Sequence, residues 1–485
     1  ENMHGRTDLE VYAKAGKVIE EMTVLPQGGV RRRDGSVFVK EVRSSAEAAR
    51  LIPFEQDDEN SYILELNNLF MRFYKSNARL GAPYQIAIPW TAAQLFDVRY
   101  AKDQCCMFLV HGSHMIRHLE WTSDTSWALT KFDPTDGPYL DANAGAITLT
   151  MSANTGSITV TASSALFAAT DTTGSGGTGD YDRLISHTHS SVTSWLKITA
   201  FTSTTVVTAT VAGVNLGGTS GVATWSLGAW STTTGFPRAV GFFEQRLIFM
   251  STTNQPQNIW ASKTGEANYS DFTPGVTADD PFSYTIAARE MNRIQWMGTL
   301  STDLFFGTSK AEYLGSAATP PVSPTNFSAI ARSWEGSGSV DTIQAKNSIV
   351  FAQRDIRRLF ELRFDGSLRA YMSEELSWHA RNIFAGGIVE MAYQNSPNGI
   401  IWIVRTDGKL VAYTYDRSRG VFAPTLCNIN GTVESVAVIP AADGSADELW
   451  IVVNRTIGAA TKRYVEYLSP GRNTDSSILY SGGST

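Results

Sequence analysis

Seven short apolar runs recur along this chain, each enclosed by polar and Gly-containing stretches. They are ILEL at 63–66, MFLV at 107–110, LIFM at 247–250, LFFG at 304–307, IVFA at 349–352, IWIV at 401–404 and LWIV at 449–452. Each predicts a strand. A partner strand follows each across a turn: MRFY at 71–74, IRHLEW at 116–121, NIWAS at 258–262, EYLG at 312–315, RRLFEL at 357–362, LVAYTY at 410–415 and RYVEYL at 463–468. A third precedes each: ARLIPF at 49–54, FDVRYA at 96–101, RAVGFF at 238–243, RIQWMG at 293–298, DTIQAK at 341–346, VEMAYQ at 389–394 and VESVAV at 433–438. With one exception the unit repeats every ~45–57 residues, the size of a four-stranded propeller blade. Shared order, spacing and strand character predict an all-β chain, a β-propeller of about seven blades. A generic β-sandwich with accidental repetition is the plainer alternative.

Turn chemistry agrees. Arg405-Thr406-Asp407-Gly408 lies between two strands of one unit, and Asp-Gly is a strong hairpin signal. Phe364-Asp365-Gly366 and Asp443-Gly444 occupy similar places. The exceptional interval, between MFLV and LIFM, holds roughly 95 extra residues. There the composition shifts to Thr, Ser, Ala and Gly, and charge almost vanishes. Alternating Thr and Val predicts exposed strands, hence a small inserted β domain with necks at Asp133-Pro134 and Gly235-Phe236-Pro237. At the start, Asp8 can cap a short helix through LEVYAKAGKVIEEM. The resulting plan is an N-terminal helix and Arg-rich loop at 1–44, the first blades at 45–134, the insertion at 135–233, the remaining blades at 234–468, and a loose tail at 469–485.

Charge and cysteine usage narrow the function. The net charge of −7 does not suit clamping nucleic acid through counterion release, although an acidic wall can line a passage along which nucleic acid slides. Cys105, Cys106 and Cys427 are odd in number, and the adjacent pair is badly placed for a bridge, so no disulfide framework is expected. No apolar run approaches the ~18–20 residues of a membrane span, and the start lacks a signal-peptide core. The expectation is a soluble chain made in a reducing cytoplasm, without membrane insertion.

Candidate chemistry is sparse. Gly174-Ser175-Gly176-Gly177-Thr178-Gly179 matches GxGxxG, yet a strand-like stretch follows where a dinucleotide site needs a helix, so it reads as a flexible loop. His111, His114 and His118 fall on a strand–turn–strand segment, where their directions diverge. His187 and His189 share a strand face and would need a third ligand to hold a metal. Carboxylate runs at Asp57-Asp58-Glu59 and Asp279-Asp280 read as turns. Ser123-Asp124-Thr125-Ser126-Trp127 weakly resembles the Asp-box of sialidase propellers, but it does not recur and lacks the turn Gly. No catalytic, cofactor-binding or metal residue is therefore assigned. The sharpest positive cluster is Arg31, Arg32 and Arg33, preceded by Gly28 and Gly29. It reads as a solvated turn, a subunit contact or a phosphate contact.

The stretch GRTDLEVYAKAGKVIEEMTVLPQGGVRRRDGSVFV at 5–39 resembles the N-terminus of the tail nozzle proteins (tubular tail protein B) of short-tailed bacteriophages. In that family a GRTD-type helix leads to a Gly-Gly-Val-Arg-Arg loop. Further matches are NQPQNIWASKTG at 254–265, SWEGSGSVDTI at 333–343, VEMAYQ at 389–394, and VESVAVIP, DELWIVVNR and RYVEYL within 433–468. The chain departs at Arg33-Asp34, where a Pro is expected, and the insertion matches nothing in the family. The resemblance implies a non-enzymatic virion protein without cofactors. It implies a homo-oligomer of six copies in the tail, docked to an adaptor and carrying fibres or spikes, with phage DNA passing through the lumen unbound. Gly28, Gly29, Arg31, Arg32 and Arg33 are then expected to touch the next subunit or the adaptor. A propeller that binds or cleaves carbohydrate is the alternative.

Overall fold

The computed structural model describes residues 8, 12, 15–57, 59–81, 84–104, 106–169, 179–288, 291–317 and 321–478. Seven antiparallel sheets make up the ring, six of them laid down in sequence order from the innermost strand outwards. The innermost strands of blades 1 to 7 are Arg50–Glu55, Arg99–Asp103, Ala239–Phe243, Ile294–Leu300, Ile343–Ala345, Ile388–Gln394 and Thr432–Pro440. Six blades take their outer strands from the chain immediately downstream. The seventh has only three such strands, and its fourth is Gly35–Glu41, paired with Ala460–Ser469. The circle is therefore fastened by hydrogen bonds between the two ends of the chain, leaving no open seam. This is a seven-bladed β-propeller.

Apolar alternation explains the closure. In the second strand of blade 6, Ile400–Arg405, side chains point alternately to opposite sheet faces. Ile401 and Ile403 pack against blade 5, whereas Ile400, Trp402 and Val404 pack against blade 7. Both faces are buried, which is why the run IWIV is continuously apolar. The same logic places one apolar cluster in each of the seven gaps between neighbouring blades, including the gap between blades 7 and 1.

The insertion forms a six-stranded sheet with its own apolar cluster, including Leu149, Ile158, Val160, Ile185, Leu196 and Val207. It leaves the propeller after Ser126–Lys131, the outermost strand of blade 2, and returns at Ala239–Phe243.

Three sequence expectations need correction. The helix from Asp8 falls largely outside the described residues, but from Ala15 onwards the backbone is not helical. Met22–Val24 instead forms a hairpin with Val30–Arg32. The segment 1–44 is not wholly separate from the propeller, because Gly35–Glu41 belongs to blade 7. The tail from 469 is pinned as far as it is described: Phe38 N–H donates to the Ser477 carbonyl, and Ser477 N–H to that of Ser36. Backbone donors beside an outer strand provided that order, which a composition of Ser, Gly and Asn does not reveal.

Candidate functional site

Gly28, Gly29, Arg31, Arg32 and Arg33 come together on and just after the N-terminal hairpin. The two glycines form its turn with φ of +104° and +79°, values that side chains disfavour. The hairpin lies along the outer edge of blade 6: Glu21 N–H donates to the Leu426 carbonyl at 2.9 Å, and Thr414 Oγ1 to that of Val24 at 2.7 Å. It thereby covers an edge strand.

The three arginines then divide. Arg31 is exposed and, among the described residues, pairs with Asp34 at 2.9 Å. Arg32 is exposed and donates to the Asn473 carbonyl at 2.9 Å. Arg33 is 7 % exposed and grips Asp475 through two 2.7 Å hydrogen bonds, with Glu21 at 2.8 Å. Burial opposes its charge, but the hydrogen bonds and negative charge of Asp475, with Glu21, hold its pKa above the ordinary arginine value. The Asp475 carboxyl is half-buried, yet Arg33 holds it below the usual range. Arg33 thus ties hairpin, closing strand and tail together within one chain, and only Arg31 and Arg32 face outwards.

A second polar assembly, absent from the sequence reading, occupies the axis. Arg50 on blade 1 donates from Nε to Glu390 of blade 6 at 2.8 Å and from Nη2 to Asp341, at the entry to blade 5, at 3.1 Å. Arg99 on blade 2 pairs with the same Asp341 at 2.6 Å. Ser435 Oγ of blade 7 donates to Glu390 at 2.5 Å. Blades 1 and 5, or 2 and 5, are not neighbours, so such pairs form only across the centre of the ring. Burial opposes the Arg50 charge, while Glu390 and Asp341 raise its pKa. The network bridges the axis of the single propeller. Charged residues at strand entries look like ordinary turn residues in sequence, and nothing local marked them.

The remaining candidate residues hold structural positions. Asp124 accepts from Tyr62 at 2.5 Å and Lys75 at 3.0 Å and so clamps blade 1 to blade 2. His118 stacks near Phe108, and His187 is fully buried beside His189. Among the described residues no three His, Cys, Asp or Glu side chains are grouped to hold a metal. The GxGxxG stretch lies outside the described residues apart from Gly179. A cleft of about 460 Å³ opens between blades 2 and 3, lined by His118, Phe132 and Tyr269 with Glu120, Lys131 and Glu266.

No family model and no curated protein matches this chain. Among solved structures, U3-55K is similar at 9 % identity and a TM-score of 0.43, covering 89 % of this chain and 98 % of that one. The RRP9 WD40 repeats are similar at 9 % and 0.44, covering 90 % and 99 %. The β-propeller domain of Cps50 (Swd1) from Myceliophteria thermophila is similar at 5 % and 0.42, covering 90 % and 99 %.

Proposed function

We propose that this chain is a structural, non-enzymatic subunit of a short-tailed phage tail nozzle. Six copies form a ring that extends the DNA channel and docks the adaptor and the fibres or spikes. The observation that carries this reading is an exposed apolar sector on the rim. Among the described residues, six of the sixteen large exposed hydrophobic side chains fall between residues 330 and 378: Ile330, Trp334, Phe364, Leu368, Met372 and Trp378. They lie on or beside the outermost strands of blades 4 and 5, Phe327–Ser333 and Ala370–Glu375, which pack together. Concentrated apolar surface on the rim suits a subunit contact. The N-terminal hairpin, which carries the family resemblance, adds exposed Val30, Arg31 and Arg32. With side chains bridging the propeller axis, the channel lies between subunits, and DNA then slides past without specific binding.

Native mass measurement tests this. The expected species is six times the 52.9 kDa chain. A monomer at micromolar concentration overturns the reading. The cleft between blades 2 and 3 favours a second reading, carbohydrate binding, because aromatic rings beside carboxylates and a lysine complement sugar faces and hydroxyls. Saturable oligosaccharide binding lost in Tyr269→Ala would support it; absence of binding would remove it.

A further inference from the structure

The cleft of about 460 Å³ between blades 2 and 3 combines aromatic walls with carboxylates. Phe108 and Phe132 line it in edge contact, their ring centroids 5.4 Å apart. Tyr269 adds a third ring, which packs on Phe242 at 5.4 Å. The Tyr269 hydroxyl donates to Asp103 Oδ2 at 3.1 Å, so this ring is held in place. His118, on the third strand of blade 2, lies 4.8 Å from Phe108. Burial lowers its pKa, against the pull of Glu120, so the imidazole is neutral at pH 7 and brings no positive charge.

The charges lining the cleft do not balance. Lys131 pairs with Asp182 and Asp133 with Lys197, and Lys197 also reaches Asp182 at 3.4 Å. These two lysines and two aspartates neutralise one another. Glu120 and Glu266 are left over. Both are exposed, and among the described residues neither carboxylate makes a hydrogen bond or an ion pair. They come from different blades: Glu120 from the strand that carries His118, Glu266 from the connection between the last two strands of blade 3. Aromatic faces attract an ammonium and cover its carbon body, while carboxylates accept its N–H groups. A neutral sugar can hydrogen-bond to the carboxylates but leaves their charge unbalanced.

We propose that this cleft binds a primary ammonium carried on a carbon body, with Glu120 and Glu266 as its counter-charges and Tyr269 as an aromatic wall. A polyamine and an amino sugar share that chemistry. The site occupies the cleft of the carbohydrate reading and is independent of the nozzle reading, since all its groups belong to one propeller.

The test titrates the full chain by calorimetry at constant ionic strength with spermidine, glucosamine, N-acetylglucosamine and magnesium. One saturable site for spermidine or glucosamine is expected. The tighter of the two marks its source as polyamine or amino sugar, and equal affinity marks the ammonium alone. Glu120→Gln and Glu266→Gln remove exposed charges and should each weaken binding about fivefold, the scale of one exposed ion pair. Tyr269→Phe keeps the ring and should bind as wild type does. Tyr269→Leu keeps bulk without an aromatic face and should weaken binding about fivefold. Glu59→Gln, an exposed carboxylate on a turn of blade 1, controls for diffuse attraction and should change nothing. Absence of saturable binding, wild-type affinity in both cleft glutamine variants, or an equal loss in Glu59→Gln overturns the site. So does magnesium binding as tightly as spermidine. N-acetylglucosamine that binds as tightly as glucosamine, and equally to Glu120→Gln, overturns the ammonium site while supporting the neutral-sugar reading.

Discussion

Adjacent residues of one type can do opposite jobs, and Arg31, Arg32 and Arg33 illustrate why. The strand Val30–Arg32 exposes its side chains, whereas the next residue turns inward beneath the tail. Arg33 then meets Asp475, Glu21 and the Asn428 carbonyl. Replacing Arg33 by Ala leaves the Asp475 carboxylate half-buried without its bidentate partner. Equilibrium unfolding should show a loss of about 2–3 kcal/mol. Arg31→Ala and Arg32→Ala should each stay within about 0.5 kcal/mol, as expected for exposed pairs. The Arg31 and Arg32 double variant is therefore the clean probe of assembly. It should disturb the ring in native mass measurements while preserving monomer stability, and unchanged rings would leave these residues as a solvated turn.

At the level of elements, strands with both faces buried were the most legible part of the sequence. Second strands such as Ser348–Ala352 and Ile400–Arg405 announce themselves as continuous apolar runs. Outer strands were not recognised, because Ala370–Glu375 and Phe327–Ser333 mix exposed with half-buried positions and lose the apolar signal. The closing strand Gly35–Glu41 was missed for a topological reason: its partner Ala460–Ser469 lies more than four hundred residues away, and no local pattern encodes that pairing. Of the candidate site, the arginine cluster and its glycine turn were legible but the hairpin that carries them was not, because its first strand lies where a helix was expected; the axial network depends on which blades face each other across the ring. Glu312 shows how such hidden polar positions act within one blade. It opens the strand Glu312–Ala317, is fully buried, and accepts from Ser333 at 2.6 Å and Ser337 at 2.8 Å. Burial, only partly offset by those serines, pushes its pKa from 4.5 to about 7. Between these values the unfolded chain ionises while the native carboxyl keeps its proton. Stability should consequently fall as pH rises from about 4.5 to 7, then level off. Glu312→Gln should flatten this dependence and raise stability at pH 8 by up to roughly 3 kcal/mol. A slope between pH 5 and 7 that is unchanged in the variant would show that Glu312 does not titrate there.

Across the whole molecule, the question is how far the insertion and the propeller fold independently. The insertion has its own sheet and cluster, so most of its apolar surface is buried internally. Its base, however, is shared. Trp230, near the return to blade 3, packs against Phe249, Trp260 and Phe272 at ring distances of 5.1, 5.8 and 5.3 Å. Ala229 N–H donates to the Pro138 carbonyl, and Leu140 N–H to that of Leu227, so the strands of the neck run together before the lobe begins. Two deletions separate these contributions. Removing 142–225 and joining the ends with two glycines retains Leu140, Leu227 and Trp230. The propeller should unfold cooperatively with nearly its original midpoint. Removing 138–233 also withdraws Trp230 from the aromatic cluster between blades 2 and 3. That variant should still fold, but with a further loss of about 2–3 kcal/mol, below the scale of deleting a fully buried aromatic side chain because Trp230 is half-buried. Denaturant unfolding followed by tryptophan fluorescence and circular dichroism measures both. Equal stability of the two deletions would mean that Trp230 serves the lobe alone. Loss of cooperative unfolding in the shorter deletion would mean that the propeller needs the lobe to close.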